Sequence, residues 1–135
     1  MNVYWKDESK KEYAVLITRG FGSGWSSWNA DYPSLAYDKR VIEWYLQHND
    51  SVFSSKINNY HLEHESKEHQ EAVKFFNECG YKDVYFGGYP HLQMRWVAAG
   101  KPWRVKEYDG NESIEYLDLD SWIVFTGKED QDEED

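Results

Sequence analysis

The sequence predicts an α+β fold: a single, mostly antiparallel sheet of about five or six strands with two helices packed on one face. Three observations carry this reading. An apolar run at residues 13–18 has the density of a buried strand. Two stretches, near 38–48 and at 66–79, repeat apolar residues at helical spacing. The third is the dipeptide Asp109-Gly110, a two-residue hairpin signal set between two strand-like runs.

Each element follows in chain order. The first strand opens after a charged lead-in at 6–12, and its residues Ala14, Val15, Leu16 and Ile17 lack the alternation of a half-exposed strand. Burial on both faces and a central place in the sheet are therefore expected. Gly20, Gly22 and Gly24 end the strand, and residues 29–33 read as a turn. The first helix carries Val41, Ile42, Tyr45 and Leu46 as its apolar stripe, and the polar residues 49–60 read as loop. Ser66 is placed to cap the second helix, which turns Ala72, Val73, Phe76 and Cys79 to one face with Phe75 to the side. Gly80 suits the left-handed position beyond its end.

Residues 84–86 read as a short strand that enters Gly87, Gly88, Tyr89 and Pro90. If it lies parallel to the first strand through the helical crossover, the loops at 20–25 and 87–89 flank one crevice, the usual ligand position in such sheets. The chain then becomes an antiparallel meander. Its first strand is 92–97, with Leu92, Met94 and Trp96 on one face, and its last is 122–125. Pairing Tyr108 with Asn111 sets Val105 opposite Ile114, Arg104 opposite Glu115 and Trp103 opposite Tyr116, all favourable cross-strand pairs. The same register opposes Glu107 to Glu112, a like-charge pair that asks for a solvated hairpin end.

With 135 residues the chain has the size of one domain, assigned to 1–127, with a disordered acidic tail at 128–135. The tail holds six acids and one lysine and so supplies half of the net charge of −10. An excess of negative charge disfavours nucleic acid as a direct partner, because each phosphate contact needs a cation. The single Cys79 leaves no internal disulfide and fits a reducing compartment. The N-terminal residues lack the apolar centre of a signal peptide, and no apolar run approaches the roughly 18 residues of a membrane span. A cytoplasmic protein with no membrane partner and no cofactor is the expectation.

Seven Trp, eleven Tyr and six Phe are more rings than a domain of this size readily buries, so some are expected in an exposed patch or groove. The run after the first strand is the most informative part of the chain. Three alternate glycines permit unusual turns and close backbone approach. Arg19 and Ser23 add polar groups, and Trp25 and Trp28 add flat faces for stacking. A bulged connection would account for the glycines alone, whereas a ligand or partner loop also accounts for the arginine and the tryptophans. The candidate binding residues are therefore Arg19, Gly20, Gly22, Ser23, Gly24, Trp25 and Trp28, with Gly87, Gly88 and Tyr89 from the second loop.

Sequence signals for catalysis are weak. The glycines do not follow the G-x-G-x-x-G dinucleotide spacing, no Gly-Lys-Ser/Thr phosphate loop occurs, and no Gly-x-Ser-x-Gly elbow is present. His61, His64 and His69 fall among Glu63, Glu65 and Glu68, but at spacings of three and five rather than the four of a helical zinc site, so a solvated helix start is preferred to a metal centre. No catalytic residue and no metal ligand is assigned.

The run at 13–29 together with the segments at 35–40, 85–89 and 108–114 resembles a group of small uncharacterised proteins encoded by bacteriophages and prophages, over about residues 13–117. That resemblance implies an accessory protein that works inside a host cell. The expected function is non-catalytic binding, in which the Gly/Trp loop and its aromatic surroundings hold a small, nucleotide-like ligand or a host protein. An acidic mimic of nucleic acid that inhibits a host enzyme is one alternative, and a small hydrolase or nucleotide-modifying enzyme is another.

Overall fold

β1 (Glu12–Thr18) is buried from Tyr13 to Thr18, and its two faces serve two separate cores. Ala14 and Leu16 face Trp25, Ile42, Phe76, Phe86 and Tyr89, whereas Tyr13, Val15 and Ile17 face Val97 and Trp103. A strand enclosed on both sides has no need of polar alternation, which is why its sequence shows none. The computed structural model describes residues 2–57, 66–116 and 123–125.

Within those residues the chain is α+β, with three α-helices and two separate two-stranded antiparallel sheets in place of one sheet of five or six strands. β2 (Leu92–Ala98) pairs antiparallel with β1, placing Thr18 opposite Leu92 and Glu12 opposite Ala98. On the other side of β1 the N-terminal segment closes the edge through Ala14 N–H to Tyr4 O at 2.9 Å and Lys6 N–H to Glu12 O at 2.9 Å. The burial expected on both faces of β1 is observed, but the central place in a larger sheet is not: β1 is one of two strands, with a single bridge from Trp5 to Tyr13 on its other side.

Residues 84–86 do not form a strand and do not pair with β1. A side chain supplies what a neighbouring strand would have given: the Asn29 amide accepts from Tyr85 N–H at 2.8 Å and donates to Tyr85 O at 3.1 Å. With the Tyr85 backbone groups taken by a side chain from elsewhere in the chain, they are not free to pair with a neighbouring strand.

β3 (Trp103–Tyr108) and β4 (Asn111–Tyr116) form the second sheet in the register expected from their sequences, with Arg104 and Glu115 3.6 Å apart. Asp109 and Gly110 turn the hairpin with φ of 49° and 87°, the doubly positive pair that suits a right-twisted hairpin. Trp103 is fully buried, and its indole N–H donates to the Tyr13 hydroxyl, which fastens this hairpin to β1. Ile123 bridges to Trp103, while Trp122 and the tail at 128–135 lie outside the described residues.

α1 (Lys39–Gln47) begins where the Asp38 carboxylate accepts from Arg40 N–H at 2.9 Å. Burial would push the Asp38 carboxyl up, but hydrogen bonds from the Arg40 guanidinium and from Tyr81 outweigh it and hold the group below the usual range. This link joins the start of α1 to residues 79–81. α2 (Ser51–Lys56) occupies part of the stretch read as loop. Asp50 caps it and Phe53 and Ile57 anchor it, and such a short helix shows too few apolar positions for periodicity to reveal. α3 (Lys67–Glu78) starts at Ser66, which caps His69 N–H at 3.0 Å, and ends before Gly80 at φ 93°. Among the described residues, no helix is long and apolar enough to cross a membrane.

Candidate functional site

Antiparallel pairing of β1 with β2 brings the loop after β1 and the segment before β2 to the same end of the molecule. There the two glycine loops touch. Ser23 Oγ donates to Gly87 O at 3.0 Å, and a Cβ on Gly88 would stand 2.3 Å from the Gly24 carbonyl oxygen. Glycine at 88 is therefore a packing requirement.

The turn of the β3–β4 hairpin lies along the same loop and holds it by a row of hydrogen bonds. Thr18 Oγ1 donates to Gly110 O at 2.7 Å, Gly20 N–H to Asn111 Oδ1 at 2.9 Å and Gly22 N–H to Asp109 O at 2.6 Å. Behind them is Glu112, wholly buried. One carboxylate oxygen accepts from Thr18 N–H at 2.9 Å, and the other accepts from Trp25 N–H at 3.0 Å, Ser27 N–H at 3.1 Å and the Ser27 hydroxyl. A buried carboxylate is tolerable only when such donors replace its water. Arg19 reinforces the arrangement by donating to Glu112 O at 2.8 Å.

The hairpin end was expected to be solvated so that Glu107 and Glu112 could face each other. The structure resolves that like-charge pair otherwise. Glu112 goes inward to the loop amides, whereas Glu107 remains in solvent and accepts from Trp28 Nε1–H at 2.7 Å and Gly110 N–H at 2.8 Å. The Trp28 hydrogen bond, and after it the Gly110 amide, hold the Glu107 carboxyl below the usual range.

The ten residues singled out in the sequence thus come together at one end, in different roles. Trp25 has no exposed surface: its ring packs against Phe76, Phe86 and Tyr89, and its N–H donates to Leu35 O at 2.9 Å. Tyr89 and Gly88 are buried beside it. Gly20 and Gly22 take φ of 123° and 104°, with open space where a Cβ would stand, so backbone conformation and not crowding asks for glycine there. Trp28 is 38 % exposed and leans against Tyr85 with ring centres 5.8 Å apart and planes tilted by 32°.

Two rings not singled out in the sequence complete the surface. Phe21, at the loop tip, is 68 % exposed and meets Tyr108, 76 % exposed, edge to face at 6.1 Å. The Gly22 to Asp109 hydrogen bond beside them fixes their relative position. On the far side of Trp28 lie two adjoining grooves. One, of about 360 Å³, is walled by Val73, Phe76, Val84 and Phe86. The other, of about 290 Å³, is walled by Trp28, Asp31, Tyr32 and Lys82. Asp83 and Tyr85 belong to both.

Glu112 carried one signal in the sequence, its like-charge partner in an otherwise favourable register. Phe21 and Tyr108 carried none beyond being aromatic next to turns. Of the histidine cluster, His61 and His64 lie outside the described residues, and His69 is buried with Nδ1 2.5 Å from Ile57 O. Among the described residues, no three His, Cys, Asp or Glu side chains gather as a metal site.

Fold and site together define a small α+β protein in which a hydrogen-bonded glycine loop presents aromatic rings to solvent. No family model, curated protein or solved structure matches the chain.

Proposed function

We propose that this chain is a non-catalytic binding protein whose Gly/Trp-loop end holds a partner, in the phage or prophage setting that its sequence resembles. The observation that carries the reading is the exposed Phe21–Tyr108 pair on a loop fastened from behind by a buried carboxylate. Aromatic rings held in water by a rigid support are typical of binding anchors, since little ordering cost remains when a partner covers them. Projecting rings favour a host protein. The groove beside Trp28 favours a second reading, a small ligand with a flat ring stacked on Trp28 and Tyr85.

Native mass spectrometry of the protein purified from its host separates these readings by the mass that is retained. For a retained protein, Phe21→Ser combined with Tyr108→Ser is expected to weaken binding about tenfold or more while the melting temperature stays within error. Unchanged binding by the double variant would contradict the proposal. A steep loss of affinity with salt, independent of the two rings, would instead mark an acidic mimic of nucleic acid. Turnover in a nucleotide library would mark an enzyme.

A further inference from the structure

We infer that the paired grooves beside Trp28 receive an arginine-bearing extended segment of a partner protein, a reading that rests on the binding function proposed above. Charge and shape together select this occupant. The groove walled by Trp28 and Tyr85 has Asp31 and Asp83 at its rim against the single cation Lys82, and among the described residues neither acid takes part in a salt bridge. A guanidinium fits such a place on two counts: its plane stacks on aromatic faces, and its fork of N–H donors pairs with carboxylates. A neutral flat ring would use the stacking alone and leave the acids unanswered.

The adjoining groove is more apolar. Val73, Phe76, Val84 and Phe86 line it beside the polar His69, Asn77 and Asp83, so it offers an aliphatic side chain a partly apolar seat. Because Asp83 and Tyr85 wall both grooves, a ligand that fills both must carry a cationic and an apolar group close together. An extended peptide does this with nearby residues, each side chain taking its own pocket. The net charge of −10 favours the approach of a basic partner to the protein as a whole. Asp83 itself sits at φ 57°, in the left-handed region. Asparagine adopts that backbone as readily as aspartate does, so Asp83→Asn removes the charge without disturbing the chain.

The test titrates the full chain with a short peptide alternating leucine and arginine and follows its amide resonances. Shifts are expected at Trp28, Asp31, Asp83 and Tyr85. Asp83→Asn should weaken binding about tenfold with an unchanged melting temperature, and a counterpart peptide with citrulline for arginine should weaken it similarly. Equal binding of a leucine–glutamate peptide, or no effect of Asp83→Asn, would overturn the inference. Free arginine amide binding as tightly as the peptide would assign the grooves to a small cation and overturn it too. The binding function is judged separately: a host protein lost with the Phe21 and Tyr108 variant but kept by Asp83→Asn would sustain that function and remove this inference.

Discussion

Glu107 and Glu112 occupy opposite positions on one hairpin and accept hydrogen bonds from one loop, yet Glu112 is sealed from water and Glu107 stands in it. The inner half of the loop, from Gly24 through Ser27 with Trp25, is built like core: burial from Gly24 to Ser26 with Ser27 half-buried, hydrogen bonds to a carboxylate and no freedom for a Cβ at Gly88. The outer half, with Phe21 and Trp28, borrows its rigidity from the inner half while its rings remain exposed. Adjacent residues of one glycine-rich segment therefore divide support from presentation. Stability is expected to depend on the first group and binding on the second.

The largest effect that would sharpen this division is Trp25→Ala, which removes a wholly buried ring from contact with Phe76, Phe86 and Tyr89. A loss of about 3–5 kcal/mol in denaturant unfolding is expected. A loss under about 1 kcal/mol would place Trp25 with the presenting group instead.

Glu112→Gln follows, at about 3 kcal/mol, because an amide would turn an N–H toward donors that now meet an oxygen. Stability equal to that of the native chain would show that the loop amides do not depend on the carboxylate. Gly88→Ala should cost about 1–3 kcal/mol, since the added methyl group meets the Gly24 carbonyl and the loops must separate. If the melting temperature is unchanged, the two loops are not in contact.

The smallest effect is at Glu107. Its carboxyl is held below the ordinary 4.5, so its bond to Trp28 is complete above that value and is lost as pH falls through the lowered one. The Trp28 indole N–H resonance should titrate with a midpoint below 4.5. Glu107→Gln should abolish that titration and leave the unfolding midpoint within error. A Trp28 midpoint above 4.5 would contradict the assignment.

Much of the local structure was legible in the sequence, because it depends on neighbours a few residues apart. The hairpin register follows from Asp109-Gly110 and its flanking pairs, and the ends of α3 are marked by the Ser66 hydroxyl and by the freedom of Gly80 to take a positive φ, neither of which needs a distant partner. Sheet assembly was not legible in the same way. Whether residues 84–86 join a sheet was decided by Asn29, far away in the chain, whose side chain took the hydrogen bonds of Tyr85. The site was half visible. Its glycines and tryptophans stand out, but stacking residues and core residues have the same composition, and only the fold separates Trp25 from Trp28. Burial of Glu112 was hidden for a related reason: the donors that make it tolerable are backbone amides, which every sequence has.

Hydrogen exchange at the amides of Thr18, Trp25 and Ser27 tests most directly whether the Glu112 carboxylate supports the loop. In the native chain these three should exchange slowly, near the rate of global unfolding, whereas Phe21 beside them exchanges fast. In Glu112→Gln, under conditions where the fold is retained, Trp25 and Ser27 should lose protection while the β3–β4 amides keep theirs. Protection at Trp25 and Ser27 that survives the substitution, or rates at those amides as fast as at Phe21 in the native chain, would contradict the account.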